Sequence, residues 1–296
     1  MEMNVTSPKV VKALMNKYCI APLKKYGQNF LIDGNIADKI ASAAMPDNAC
    51  VLEIGPGLGA LTSRLIKKAK AVVAYEIDAG LVEALKYTLS DAWNLTIFHQ
   101  DFLKADLEQN LNPLFNGADL YVAANLPFYI TSSSIMKLIS SNLNIKRITV
   151  MVQKEVAERI CAVPGTRHYS AITAAVAFFA TPEKLFNVSH SCFYPQPNVL
   201  STVLMLKMHA HDREEARAYL NTVKGLFAMR RKTIKSNLRQ SFGLDIKEVD
   251  AVLKNAGIDE NARAETLSVK DYLKITQELR ILKKIFHKIK GKTDFI

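Results

Sequence analysis

Polar and apolar positions between residues 50 and 207 follow two alternating patterns. Short β-branched and apolar runs are followed by segments with apolar residues at i, i+3 and i+4, as in Ile135, Leu138 and Ile139. Strands that alternate with helices predict a mostly parallel sheet covered by helices. The predicted strands are Cys50–Gly55, Ala71–Ile77, Leu95–Gln100, Leu120–Leu126, Ile148–Gln153 and Ser201–Lys207.

Helix signals mark the rest of the chain. A helix is predicted to begin at Thr131 or Ser132, where polar residues precede an apolar helical pattern. After residue 207 the strand-like runs end and helical segments follow one another, with Gly243 and Gly257 as predicted stops. The chain is therefore predicted to hold an α/β domain over residues 1–207 and a small all-helical domain over residues 208–296.

Composition narrows the class of protein. A chain of 296 residues with 49% hydrophobic and 23% charged residues is typical of a globular protein that buries a core. The apolar run 171–180 has about half of the roughly 20 residues that span a bilayer, so we expect a buried helix and no membrane association. Residues 1–11 contain no apolar run of the kind found in secretory signals, so no such signal is expected. Four scattered cysteines without a CxxC pair predict reduced, buried thiols in a cytoplasmic protein and no metal site: Cys19, Cys50, Cys161 and Cys192.

The positive charge is concentrated towards the end of the chain. From Lys207 onwards there are 20 Lys and Arg residues against 12 Asp and Glu, which is +8 of the total net charge of +11. A clustered basic surface attracts phosphate backbones, so a nucleic acid is the favoured partner. An anionic membrane surface or ordinary solvated charge are the alternatives.

A glycine-rich turn follows the first predicted strand of the sheet. Gly55, Gly57 and Ala60 match the spacing of a dinucleotide-binding turn between a strand and a helix. Glu53, two residues earlier, argues against a pyrophosphate and for a ligand that carries a cation. The ammonium and sulfonium groups of S-adenosylmethionine fit that requirement. A turn with a purely structural role remains an alternative.

Two acids end the next two predicted strands. Glu76 lies 21 residues after the first glycine, where an acidic side chain can accept both hydroxyls of a ribose. Asp101 ends the third predicted strand and could accept the exocyclic amine of the adenine of the cofactor. The carboxyl ends of parallel strands meet at one edge, so these acids and the glycine turn are expected to form one pocket.

The tetrapeptide Asn125-Leu126-Pro127-Phe128 follows the fourth predicted strand. An exocyclic amine of a base is a poor nucleophile and needs acceptors that favour a tetrahedral nitrogen. The side-chain oxygen of Asn125 and the carbonyl of Leu126 are two such acceptors, Pro127 fixes the turn, and Phe128 offers a face for base stacking. A simple helix-capping turn is the alternative.

Six motifs together resemble the small-subunit ribosomal RNA adenine dimethyltransferases. They occur in the family order and extend over almost the whole chain. They are Lys25–Leu31 (KYGQNFL), Glu53–Gly59 (EIGPGLG), Asn125–Phe128 (NLPF), Val152–Arg159 (VQKEVAER), Phe193–Val199 (FYPQPNV) and Arg230–Thr233 (RRKT).

The resemblance implies a Rossmann-like class I methyltransferase sheet with a small C-terminal all-helical domain. It implies that Asn29 and Leu31 line the S-adenosylmethionine pocket with the glycine turn, Glu76, Asp101 and Asn125, and that Gln28 lies in an N-terminal lid segment over about residues 1–35. Phe193 resembles the second aromatic residue of a base clamp opposite Phe128. A core aromatic residue is the alternative for Phe193.

Members of this family transfer four methyl groups from S-adenosylmethionine to two adjacent adenosines in the 3′ hairpin of small-subunit RNA, within an assembling 30S particle. The same activity is expected here, in a cytoplasmic monomer, with S-adenosylhomocysteine as product. The basic helical domain would contact ribosomal RNA through five residues: Arg230, Arg231, Lys232, Lys235 and Arg239.

Three other functions stay open at this point. A large-subunit RNA adenine methyltransferase of the antibiotic-resistance type shares the cofactor site and a similar Asn-x-Pro-aromatic loop. A non-catalytic RNA-binding assembly factor could keep the fold, although an intact Asn125 and Glu76 argue against lost chemistry. In a nicotinamide oxidoreductase the segment Asn125–Phe128 would have no role, which argues against this function.

Overall fold

The computed structural model describes residues 3–20 and 29–282 of the chain. The described strands are β1 (Phe30–Leu31), β2 (Cys50–Ile54), β3 (Ala71–Glu76), β4 (Leu95–His99), β5 (Leu120–Asn125), β6 (Ile145–Gln153), β7 (Ala180–Val188), β8 (Phe193–Tyr194) and β9 (Ser201–Met208). The α-helices are α1 (Pro8–Lys17), α2 (Gly34–Ala44), α3 (Thr62–Leu65), α4 (Ala79–Thr88), α5 (Leu107–Phe115), α6 (Thr131–Ile139), α7 (Lys154–Ile160), α8 (Ala171–Phe179), α9 (Arg213–Leu226), α10 (Ile234–Phe242), α11 (Ile246–Ala256) and α12 (Val269–Ile281).

Seven strands form one sheet in the order β4-β3-β2-β5-β6-β9-β7. The five strands from β4 to β6 are parallel, and β9 runs antiparallel to β6. All six predicted strands are present, with ends that differ by one to three residues. The sequence pattern missed β7 because Pro182, Glu183 and Lys184 interrupt its apolar residues and it lies at the sheet edge.

The central strand β2 is buried over its whole length. Its five residues Cys50–Ile54 lie between β3 and β5 and are covered on both faces, which explains the nearly continuous apolar run. Glu53 is the polar exception in this run and is 1% exposed. A charged residue type in the most buried strand indicates a role other than packing.

A two-stranded sheet joins distant parts of the chain. In this sheet β1 and β8 pair antiparallel, with Phe30 opposite Tyr194 and Leu31 opposite Phe193. Leu31 and Phe193 both lie in one apolar core cluster with residues of α2 and β2. The pairing therefore brings two of the resembling motifs together, which no local pattern predicts.

The chain divides into two compact units. The first unit is Met1–Ala157 with Pro182–Met208, and the second is Glu158–Thr181 with His209–Ile296. The predicted boundary at residue 207 is therefore close to the C-terminal boundary, but Glu158–Thr181 belongs to the second unit. The physical reason is its packing, because the hydroxyl of Tyr219 donates to the carbonyl of Ala174 at 2.9 Å inside the core of the second unit.

The second unit is helical, as the sequence predicts. Gly243 and Gly257 follow α10 and α11 in the left-handed conformation that ends a helix, with φ of 63° and 67°. The apolar run 171–180 forms α8 and the first residue of β7, and its residue Ala174 is fully buried. Within the described ranges no helix is long and apolar enough to cross a membrane.

The cysteines depart from the prediction. All four lie within the described ranges and none forms a disulfide, but only Cys50 is buried. Cys161 and Cys192 are partly exposed and Cys19 is exposed. Cys19 follows the end of α1 with a φ of 52°, in a turn that holds its side chain outside the core. The expectation of buried thiols was wrong for these three residues.

Candidate active site

The strands β2, β3, β4 and β5 end at one edge of the sheet, and a cleft lies there within the first unit. Every predicted catalytic or cofactor-binding residue that the structure describes lines this cleft. They are Asn29, Leu31, Glu53, Gly55, Gly57, Glu76, Asp101, Asn125, Leu126, Pro127, Phe128 and Phe193. Gln28 lies outside the residues described by the structure. Within the described part of the predicted lid, residues 3–20 and 32–35 do not line this cleft.

The glycine turn after β2 needs glycine at two positions. Gly55 and Gly57 have φ of 66° and 60°, which L side chains rarely adopt. A Cβ at Gly57 would lie 3.3 Å from the ring of Phe30, and one at Gly55 would lie 3.4 Å from Pro127. The turn therefore lies close to both the N-terminal segment and the Asn125–Phe128 loop.

Glu76 is fixed by backbone donors. Its Oε1 accepts hydrogen bonds from the amides of Ile77 at 2.8 Å and Asp78 at 3.0 Å, and its Oε2 accepts one from Gly57 at 3.2 Å. The residue is 5% exposed, and burial raises the pKa of its carboxyl. This carboxylate is locked in place with acceptor capacity left for hydroxyl groups of a ligand.

Glu53 is buried at the bottom of the same cleft. Nothing in residues 3–20 or 29–282 donates a hydrogen bond to its Oε2. Burial raises the pKa of the Glu53 carboxyl to about 8; the nearby Thr62 hydroxyl opposes this shift and the neighbouring Glu76 adds to it. A buried polar atom without a hydrogen-bond partner costs free energy, and a cationic ligand that binds the carboxylate form would relieve that cost.

Asp101 begins the turn that follows β4. Its Oδ1 accepts from the amide of Leu103 at 2.9 Å and caps a short 3₁₀ helix, Phe102–Lys104. Sequence reasoning missed Lys137 on α6, whose Nζ donates to the carbonyls of Leu103 and Ala105. A lysine on a half-buried helix face gives no sequence signal of such a contact.

The Asn125–Phe128 loop is anchored on several sides. The Nδ2 of Asn125 donates to the carbonyl of Asn29 at 3.2 Å, and the amide of Leu126 donates to the carbonyl of Met151 at 3.2 Å. The hydroxyl of Thr131, the first residue of α6, donates to the carbonyl of Pro127 at 3.2 Å. Because the amide nitrogen of Asn125 is engaged, its Oδ1 is the atom left to act as an acceptor.

The two predicted aromatic residues differ in exposure. Phe128 is half-buried and offers part of its ring to the cleft, whereas Phe193 is 2% exposed within an apolar core cluster. The described conformation therefore favours a packing role for Phe193. Tyr129, directly after Phe128, lines the cleft and is 48% exposed. Its position beside the tetrapeptide is a signal that the sequence interpretation overlooked.

The predicted RNA-binding residues lie in the second unit and fall into two groups. Arg230, Arg231 and Lys232 are exposed in the turn Met229–Thr233 between α9 and α10, which we call the basic turn, and Arg239 is exposed on α10. Lys235 differs because it forms ion pairs with Asp250 at 2.9 Å and with Glu260. These two carboxylates raise its pKa and compensate its charge.

A buried asparagine holds the basic turn. Asn237 is fully buried, and its Oδ1 accepts from the amide of Met229 at 3.0 Å. Its Nδ2 donates to the carbonyl oxygens of Met229 at 3.2 Å and of Thr233 at 3.3 Å. One side chain therefore fixes both ends of the segment that carries the three cations.

Comparison with known proteins places this geometry in context. The sequence profile of the family described as "Ribosomal RNA adenine dimethylase" matches residues 23–280. The "Ribosomal RNA small subunit methyltransferase A" of Bacillus licheniformis is 40% identical over 288 residues, which cover 95% of this chain and 99% of that relative.

Two solved structures share the fold. A dimethyladenosine transferase from Plasmodium falciparum has a TM-score of 0.72 and 28% identity, covering 86% of this chain and 98% of that one. The 23S rRNA methyltransferase ErmE has a TM-score of 0.63 and 26% identity, covering 85% of this chain and 100% of that one. These likenesses confirm the predicted fold class.

Proposed function

Because the chain belongs to the ribosomal RNA adenine dimethylase family, we propose that it dimethylates the N6 amines of two adjacent adenosines in the 3′-terminal hairpin loop of small-subunit (16S) ribosomal RNA. The chain is an S-adenosylmethionine-dependent methyltransferase that acts on ribosomal RNA. The convergence of Glu53, Glu76 and Asp101 with Asn125–Phe128 in one cleft supports methylation of an adenine N6. The observation that carries the small-subunit assignment is the 40% identity to the small-subunit methyltransferase A of Bacillus licheniformis.

The residues of the cleft fit S-adenosylmethionine. Glu76 would accept the ribose hydroxyls, because backbone amides already hold its carboxylate in one orientation. Asp101 would accept the adenine amine, and the unpartnered Oε2 of Glu53 would meet a positive charge of the methionine end. When bound, the cofactor supplies a methyl group on a sulfonium, which leaves as a neutral thioether.

The chain supplies positioning in this chemistry. The Oδ1 of Asn125 and the carbonyl of Leu126 would accept hydrogen bonds from the target N6, turning the nitrogen lone pair towards the methyl group. Phe128 would stack on the adenine, a contact worth roughly 1–3 kcal/mol. After methyl transfer the amine proton would pass to water. In-line placement therefore accounts for most of the expected rate acceleration.

We further propose that the substrate is the RNA within an assembling 30S particle and that the enzyme acts on it as a monomer in the cytoplasm. The exposed cations of the basic turn and Arg239 support a phosphate-binding role. Lys235 is the weakest member of this set, because Asp250 and Glu260 compensate its charge.

A large-subunit specificity is the second candidate, favoured by the likeness to ErmE at 26% identity. The 40% identity to the Bacillus licheniformis protein over nearly the full chain supports the small-subunit substrate more strongly.

The test is labelled methyl transfer to unmethylated small subunits and, in parallel, to large-subunit RNA, followed by mapping of the modified positions. Dimethyladenosine at two adjacent positions of the small-subunit 3′ hairpin is expected. Label only in large-subunit RNA would move the substrate assignment, and no label despite bound cofactor would point to a binding or assembly role.

A further inference from the structure

Lys137 contacts a segment that lines the cleft, and the proposed chemistry gives it no role. It lies on α6, and its Nζ donates to the carbonyl oxygens of Leu103 at 2.8 Å and Ala105 at 2.6 Å. The side chain is partly buried, and its Nζ lies 5.6 Å from the centre of the Phe102 ring. Two short charge-assisted hydrogen bonds and a ring contact hold this lysine in one place.

All of these contacts lie on the segment Asp101–Ala105. Asp101 caps the amino end of its 3₁₀ helix, and Lys137 binds the carbonyl oxygens of Leu103 and Ala105 towards the carboxyl end. Phe102 is 4% exposed and lines the cleft beside Asp101. The position of the Asp101 carboxylate therefore depends on a turn that Lys137 holds through hydrogen bonds from α6.

The same helix also begins at the Asn125–Phe128 loop. Thr131, its first residue, donates to the carbonyl of Pro127, and Lys137 follows six residues later. One short helix is thus bonded at its start to the loop that carries Asn125 and near its end to the segment that carries Asp101. A shift of either loop would be transmitted through α6.

We propose that Lys137 is a positioning residue for cofactor recognition: it holds the Asp101–Ala105 segment so that the carboxylate of Asp101 can bind the adenine amine of the cofactor. The inference rests on the proposed function of the cleft. It predicts that loss of the Lys137 ammonium weakens binding of adenosine-containing ligands and leaves the chemical step nearly unchanged at saturating cofactor.

The experiment measures binding of S-adenosylhomocysteine and of adenosine to the full chain by calorimetry, together with KM and kcat. Lys137→Met should weaken both ligands about tenfold, the size of one lost hydrogen bond between the displaced Asp101 carboxylate and the adenine amine. Lys137→Arg should retain most of the affinity because it keeps a charged donor. Lys104→Met is the matched control, since Lys104 is exposed on the same 3₁₀ helix, and it should bind like the wild type.

A double-mutant cycle separates positioning from a general loss of stability. In an Asp101→Ala background the Lys137→Met change should lose most of its effect on adenosine binding, because the group it positions is absent. If Lys137→Met does not fold, the cycle is run with Lys137→Gln. Unchanged affinity, or an equal loss with and without Asp101, would overturn the inference. A wild-type protein that binds no S-adenosylhomocysteine would instead contradict the proposed function.

Discussion

The cleft at the carboxyl edge of the sheet presents ligand-binding groups at strand ends and the basic turn presents them on irregular backbone, and the two regions also differ in solvation. In the cleft Glu53 and Glu76 are 1% and 5% exposed, whereas Arg230, Arg231 and Lys232 are exposed to solvent. Buried carboxyls have shifted pKa values and interact strongly at short range. Exposed cations act over longer distances and are screened by salt.

The two regions nevertheless share one structural solution. In each, a side chain on a neighbouring helix binds backbone groups and fixes a turn: Lys137 binds Leu103 and Ala105, and Asn237 binds Met229 and Thr233. Because the two regions differ in solvation, we expect them to have different functions. Changes in the cleft should alter chemistry and cofactor binding, and changes in the basic turn should alter RNA affinity.

The largest effect is expected for Asn125→Ala. Removing the Oδ1 acceptor should lower kcat at saturating cofactor by at least about a hundredfold, as for other groups that act on the reacting atoms. Methyl transfer to small subunits measures it, with RNA affinity followed separately. Near-normal turnover in a folded, cofactor-bound variant would contradict the role of Asn125.

The second largest effect, on RNA affinity, is expected for charge reversal of the basic turn. Arg230→Glu, Arg231→Glu and Lys232→Glu together should weaken RNA binding by about thirtyfold at moderate salt and flatten its salt dependence, because fewer counterions are released. RNA titrations at several salt concentrations measure both quantities.

A control with the same change in net charge is available in the same unit. Lys247, Lys254 and Lys270 are exposed lysines outside the basic turn, and their reversal to Glu should leave the salt slope closer to that of the wild type. Equal slopes for the two triple variants would show that RNA binds elsewhere.

The pH dependence of S-adenosylmethionine binding tests the role of the buried Glu53 in the cleft. Burial raises the pKa of Glu53 to about 8, so the protein without ligand holds this proton at neutral pH. A bound cation favours the carboxylate, so the proton must be released on binding. The contribution of Glu53 to the affinity for S-adenosylmethionine should therefore rise by about tenfold between pH 6 and 8 and level off above the pKa.

The Glu53→Gln variant separates this effect from titration of the amino group of the ligand, which also lies near pH 8. The variant keeps the ligand contribution and should lose the part due to Glu53, so its profile should be flatter. Calorimetry over the pH range measures both proteins, and parallel profiles would exclude a proton-coupled role for Glu53.

The smallest effect is expected for Asn237→Ala, which changes the position of the cations in the basic turn without changing their charge. All cations of the basic turn remain, so RNA affinity should fall only about threefold with an unchanged salt slope. The free energy of unfolding should fall by about 1–3 kcal/mol, because backbone groups lose buried partners. Asn255→Ala, an exposed asparagine on α11, is the control, and a flattened slope in Asn237→Ala would argue against a positioning role.

Local patterns predicted much of the cleft. Strand ends, the glycine turn and the tetrapeptide each follow from residues close in sequence, and parallel strands bring them to one edge. Pairing of Leu31 with Phe193 joins residues far apart in sequence in strands of two residues, too short for a periodic signal. The burial of Phe193 follows from that pairing, so a stacking role could be assigned only by resemblance.

The second unit shows the same limit. The helix stops at Gly243 and Gly257 are local and were predicted, whereas the packing of Glu158–Thr181 with the C-terminal helices is not local. The ion pairs of Lys235 with Asp250 and Glu260 likewise join residues on different segments. Counting charges along the sequence could not distinguish this compensated lysine from the exposed cations.

The most direct test of the central claim is a structure of the enzyme with S-adenosylhomocysteine and the small-subunit 3′ hairpin. The account predicts the ribose hydroxyls on Glu76, the adenine amine on Asp101, and the target N6 within hydrogen-bond distance of Asn125 Oδ1 and the Leu126 carbonyl. A nucleoside bound outside this cleft, or a target base that does not contact Asn125, would contradict it.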